Sequence, residues 1–424
     1  MTTNTKSGSY QVPLVFLTSL FFMWGFMTSL NDILIPHLRN AFSLSYTQGM
    51  LIQFCFFGAY AIVSLPAGRL LDRIGYQKGI VAGLMLAGVG CWLFWPAAAA
   101  LTYPLFLGAL FVLAAGITIL QVSANPYVSA LGSAHTASSR LTLTQAFNSL
   151  GTTVGPLLGG ALILGVAVAG SDATSEARSV QGPYLFLGAL FFVLAVVFAV
   201  VFAKIKLPVL SIESAIESPA DSTNTADSRS PSGAEAAGEG AWSFPQLKFG
   251  TIAIFVYVGG EVAIGSFLIN YLGEADIAGL AEAAAAPYVS YYWGGAMVGR
   301  FIGAAIMRVF APGRVLALHA LAAVALVTLS MLSSGSVAMW SILAVGLCNS
   351  IMFPTIFSLA VSGLGKHTSQ GSGLLCMAIV GGALLPVLQG MIADSSGIQA
   401  GFIIPILCYL YICYFGFRFP HEAE

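Results

Sequence analysis

Apolar residues in this chain come in long runs, separated by short junctions that hold most of the charge. A run of about 20 apolar residues has the length of an α-helix that crosses a bilayer. On that criterion the pattern predicts twelve helices, over 14–36, 47–69, 79–97, 104–127, 141–166, 182–205, 248–272, 285–308, 315–334, 336–362, 370–393 and 399–419. Between the sixth and seventh lies the one sustained polar stretch, "SIESAIESPADSTNTADSRSPSGAEAAGEG". Rich in Ser, Ala, Glu and Asp and almost free of aromatics, it cannot bury enough apolar surface to fold. It divides the chain into a six-helix bundle over 1–205, a disordered linker over 206–247 and a second six-helix bundle over 248–424.

The two halves repeat each other. Gly151, Pro156 and Gly160 in the fifth segment match Gly381, Pro386 and Gly390 in the eleventh at an offset of 230. Gly68-Arg69 matches Gly299-Arg300 at 231, and Pro126 matches Pro354 at 228. One such match is easily chance; several within a narrow band of offsets are not. Parallel repeats of this kind place a substrate site between the halves, near the middle of the membrane.

Composition removes the soluble alternative. Charged residues make up 8% of the 424, where a soluble domain carries about 25%. The chain reads as an all-α membrane protein whose main partner is the lipid bilayer. Of its 16 Lys and Arg residues only Arg39 and Arg178 fall outside if the N-terminus is cytoplasmic, and Arg300 lies within the eighth segment. That bias puts both termini and the linker in the cytoplasm. The run after Lys6 is too long for a signal peptide and lacks a small-residue cleavage site, so the first segment is expected to be retained. A net charge of −1 without a basic tract argues against nucleic acid. The six cysteines lie in apolar runs with no C-x-x-C pair and read as small buried hydrophobes.

A few polar side chains break the apolar segments. Asn31 and Asp32 stand in the first and Glu261 in the seventh, each carboxylate with apolar residues on both sides. A carboxylate within a membrane costs about 2.5–3.5 kcal/mol on insertion scales and usually marks a pathway or a site. Asp394, in the turn-like "IADSSG", reads as solvated. Gln121 and Asn125 share a face just before Pro126, and Thr142, Gln145, Asn148 and Thr152 follow at helical steps. Two readings are open for this stripe. Amides donate and accept at once and suit a polyhydroxylated neutral ligand such as a sugar; polar side chains also join helices to one another. The aromatics Trp24, Tyr288, Tyr291, Tyr292 and Trp293 carry a similar choice, between a stacking platform and interfacial anchoring.

The junction after the second segment, "GRLLDRIGYQK", resembles the motif shared by the major facilitator superfamily. Gly68, Asp72, Arg73 and Gly75 match it, whereas Leu71, Tyr76 and Gln77 depart from it. The resemblance implies a latch between helices that governs opening. Six separated motifs, "SLNDILIPHL", "SLPAGRLLDRIGY", "QVSANPYVSALG", "SRLTLTQAFNSLG", "FVYVGGEVAIGSFLINYL" and "FPTIFSLA", together resemble the fucose–galactose–glucose symporter family of that superfamily. The resemblance implies a bacterial inner-membrane symporter of one monosaccharide and one cation. The fucose branch has a glutamate where Gln121 stands and a glutamine where Glu261 stands; the N-acetylglucosamine branch lacks a "TQAFNSLG" segment. Gln121 with Glu261 is similar to the glucose/galactose branch, with fucose or N-acetylglucosamine import as the alternatives.

On this reading the sugar site takes Gln121, Asn125, Thr142, Gln145, Asn148, Glu261, Tyr291 and Asn349. Asp32, with Asn31 beside it, takes the coupling ion, either H⁺ or Na⁺. Neutralising that carboxylate removes the penalty of occluding it and so links ion flow to sugar flow. A monomer without cofactor or structural metal is expected. An embedded enzyme is disfavoured, because there is no H-E-x-x-H or G-x-S-x-G and the five histidines, His37, His135, His319, His367 and His421, are scattered. The internal duplication argues against a channel or receptor.

Overall fold

The computed structural model describes residues 14–26, 46–159, 181–204 and 240–421. Asn31, Asp32 and most of the expected linker lie outside these residues. Among the described residues the chain is helical, with no strand. The helices are α1 (Leu14–Phe26), α2 (Tyr46–Ile74), α3 (Tyr76–Ala100), α4 (Tyr103–Ala130), α5 (Ala137–Gly159) and α6 (Gln181–Lys204). The second half holds α7 (Pro245–Gly273), α8 (Glu282–Ile306) and α9 (Pro312–Leu332), then α10 (Gly335–Val361), α11 (Gly365–Ser396) and α12 (Ile398–Arg418). Helix α7 starts at Pro245, three residues ahead of the expected 248, because proline suits the first helical turn, where its missing N–H would have no partner.

Nine of these helices are long and apolar enough to cross a membrane. The exceptions are α1, of which 13 residues are described, and α5 and α8. The last two pack against each other where the halves meet. That contact covers one face of each helix, while α8 also exposes Val298, Phe301 and Ile302. Along α6, Phe186, Val193, Val196 and Val200 are exposed, and hydrocarbon solvates such side chains without cost.

The sequence repeat has a packing counterpart. A methyl group on Gly151 of α5 would overlap the Phe22 carbonyl of α1, and one on Gly381 of α11 would overlap the Phe255 carbonyl of α7. Matching glycines thus let matching helix pairs approach backbone to backbone, a contact that substitutes for the missing hydrophobic drive between helices in lipid. Helix α3 packs on α6 in the first half, and α9 packs on α12 in the second. Across the junction α2 meets α11, α5 meets α8 and α10, and α4 meets α11. Helix α10 is interrupted: one stretch ends at Asn349 and the next begins at Met352, just before Pro354.

Candidate functional site

The first-half wall of the junction is built by α4 and α5. Gln121 donates from Nε2 to the Tyr60 hydroxyl at 2.8 Å, and Gln145 Nε2 lies 3.5 Å from Asn125 Oδ1. Gln121, Asn125, Thr142 and Gln145 are all buried. Gln121 Oε1, Asn125 Nδ2 and Thr142 Oγ1 have hydrogen-bonding capacity that the protein does not use. A buried polar group without a partner costs about 1–3 kcal/mol, so a cluster of such groups marks a place built for something other than packing. The rest of the expected stripe turns away. Asn148 donates to the Phe21 carbonyl of α1 at 2.9 Å, and Thr152 donates to Ser149 O of its own helix at 2.8 Å.

Helices α7, α8, α10 and α12 form the second-half wall. The half-buried Glu261 lies within electrostatic reach of the Arg300 guanidinium and near the Tyr257 hydroxyl. Tyr292 donates to the Glu261 carbonyl at 3.2 Å and accepts from Asn349 Nδ2 at 2.7 Å. Tyr257 donates to the Asn349 carbonyl at 3.2 Å. The buried Tyr409 hydroxyl and Asn349 Oδ1 each lack a hydrogen-bond partner among the described residues. Tyr291 does not join this cluster: it is 59% exposed and packs on Trp340 at 5.7 Å, while its neighbour Tyr292 is 0% exposed. Tyr291 and Trp340 therefore fit interfacial anchoring. Trp24 is buried against Phe21.

Arg300 connects the two walls. Its Nη1 donates to Ser149 Oγ and lies 3.4 Å from Gln145 O, both in α5, while Nε donates to Ser350 O in α10 at 3.1 Å. In the sequence Arg300 stands out as part of the internal repeat and as an exception to the charge bias. A basic side chain inside a span is itself a functional signal.

At one end of the junction the halves are sealed. A Cβ on Gly68 would crowd the Ser369 carbonyl of α11. Gly75 breaks the chain between α2 and α3 at φ 79°, a conformation that disfavours other residues. Asp72 is exposed and accepts a long bond, 3.5 Å, from Gln370, and Arg73 is exposed beside it. Ser369 donates to the Tyr76 hydroxyl at 3.1 Å. Deeper in, Ser372 donates to Val122 O at 2.8 Å and Ser139 to Ala304 O at 2.6 Å, and the Ser138 and Ser358 hydroxyls are bonded to each other.

Comparison with known proteins places this geometry. The sequence model of the Major Facilitator Superfamily matches residues 15–379. The chain is 56% identical over 417 residues to the glucose/galactose transporter of Brucella abortus biovar 1, covering 98% of this chain and 96% of that protein. It is 35% identical over 436 residues to the L-fucose-proton symporter of Escherichia coli K12, covering 99% and 95%. Among solved structures it is similar to a major facilitator superfamily transporter, FucP, in the outward conformation, with a TM-score of 0.85, 34% identity and coverage of 98% and 100%.

Proposed function

Because the chain belongs to the major facilitator superfamily, we propose that it imports glucose or galactose by proton-coupled symport, with alternating access to a site between its two bundles. The junction cluster carries this reading. Arg300 joins Gln145 O on one side to Ser350 on the other, and Gln121, Asn125 and Thr142 in the first half and Asn349 in the second carry unused donors and acceptors. Neutral amides and hydroxyls match the alternating hydroxyls of a hexose. The name of the Brucella relative and the pairing of Gln121 with Glu261 support glucose or galactose over a 6-deoxy sugar.

Proton coupling is supported by the naming of the fucose relative as a proton symporter. Asp32 is the residue we assign to it, with Asn31 adjoining. The division into bundles over 1–205 and 248–424 belongs to the same proposal, as does a monomer in the bacterial inner membrane with both termini cytoplasmic. On that orientation the sealed end, with Arg73 and Asp72, is the cytoplasmic one, and Gly68, Asp72, Arg73 and Gly75 form its latch. The state described is then outward-facing, in keeping with the outward conformation of the similar structure.

Uptake into proteoliposomes tests this directly. Labelled glucose, galactose, fucose and N-acetylglucosamine are supplied under an imposed proton or sodium gradient. Accumulation of glucose or galactose driven by an acid exterior is expected. Accumulation driven by sodium alone would overturn the proton assignment, and accumulation confined to fucose or N-acetylglucosamine would overturn the substrate.

A further inference from the structure

Pro126 and Pro354 occupy matching places in the two halves. Each removes the backbone N–H that would bond the carbonyl four residues earlier, which frees Val122 O in α4 and Ser350 O in α10. Both freed acceptors are taken up by side chains. Ser372, from the opposite half, donates to Val122 O at 2.8 Å. Arg300 donates from Nε to Ser350 O at 3.1 Å, and its other end is held in the opposite half by Ser149 Oγ and Gln145 O. Asn349 O, beside the same break, accepts from the Tyr257 hydroxyl at 3.2 Å.

We propose that Arg300 is a positioning residue that ties the break of α10 at Pro354 to the Gln145 face of α5, so that sugar binding and movement of α10 are coupled. The proposal rests on the reading of the junction as the sugar site. The physical requirement is a donor that reaches two helices at once from a third. Guanidinium meets it, because its five N–H groups point outward from a rigid plane; a lysine ammonium is a single point on a flexible stem. Lysine at 300 keeps the positive charge that acts on Glu261 and loses only the fork. The neighbouring carboxamide of Gln145 faces Asn125, which places the tie one residue's length from groups assigned to the sugar.

The experiment measures, on the full-length protein in proteoliposomes, both glucose affinity and the rate of glucose exchange at saturation. Arg300→Lys is expected to slow exchange about ten- to a hundredfold, the range of one charge-assisted hydrogen bond, with affinity changed less than about threefold. Ser149→Ala should slow exchange less, and should add little to Arg300→Lys, since both cut the same tie. Pro354→Ala supplies the N–H that Ser350 O lacks. In that background Arg300→Lys should cost no more than about twofold further. An equal loss in both backgrounds overturns the proposal, as does a loss of affinity that accounts for the whole loss of rate. Should Pro354→Ala fail to insert, additive losses from Ser149→Ala and Arg300→Lys overturn it equally. Failure of the unaltered protein to bind any hexose would instead overturn the sugar-site reading itself.

Discussion

Opening the sealed end requires breaking the contacts that hold it, and the structure sets their scale. Among the described residues five such side-chain bonds are Ser138 with Ser358, Ser139 with Ala304 O, Ser372 with Val122 O, Ser369 with Tyr76, and Gln370 with Asp72. None is an ion pair. At a net of about 0.5–1.5 kcal/mol per bond, the five are worth about 2.5–7.5 kcal/mol. The bond to Asp72 is the longest and exposed, so it stands at the low end. A seal of that strength holds the protein closed at this end yet stays within what a bound sugar and ion can offset. Covalent closure should therefore abolish transport outright. Ser138→Cys with Ser358→Cys puts two thiols where hydroxyls now bond to each other, so that a disulfide can form between the halves. The expected result is oxidant-dependent loss of uptake, full recovery on reduction, and retained glucose binding in the oxidised protein. Each single cysteine variant should be unaffected by oxidant. A cross-linked protein that still accumulates sugar would refute the reasoning, because this contact would then not open during the cycle.

Asp32→Asn should abolish gradient-driven accumulation and keep counterflow exchange, measured with and without an imposed gradient; concentrative uptake by that variant sinks the coupling assignment. Glu261→Gln keeps shape and removes charge, so hexose affinity should fall about ten- to a hundredfold in a binding titration; unchanged affinity places this carboxylate outside the site. Gln145→Ala should weaken binding about three- to tenfold without affecting insertion. Asn148→Ala, which loses the bond to Phe21 O, should also lower thermal stability by about 1 kcal/mol, and a fully stable variant would contradict that tie.

The apolar runs determined the helices and their order, because the length and composition of a span are set by the bilayer. They also marked α4 and α5 as carrying amides, and the matching glycines of the two halves as contact points. Tertiary structure decided where each side chain points. Tyr291 and Tyr292 are neighbours in sequence and equally aromatic, yet one faces outward beside Trp340 and the other reaches Asn349 and Glu261. In a soluble helix the polar face would betray the difference. In a membrane both lipid and protein interior accept apolar surface, so hydropathy reports only that a residue has left water. Arg300 shows the other side of the same physics. Its position within a span was legible as a cost, but its partners come from α5 and α10, one far behind it in sequence and one ahead. The closure of one end rests on serines and glycines too ordinary to stand out in a sequence, and it exists only because two bundles bring them into contact.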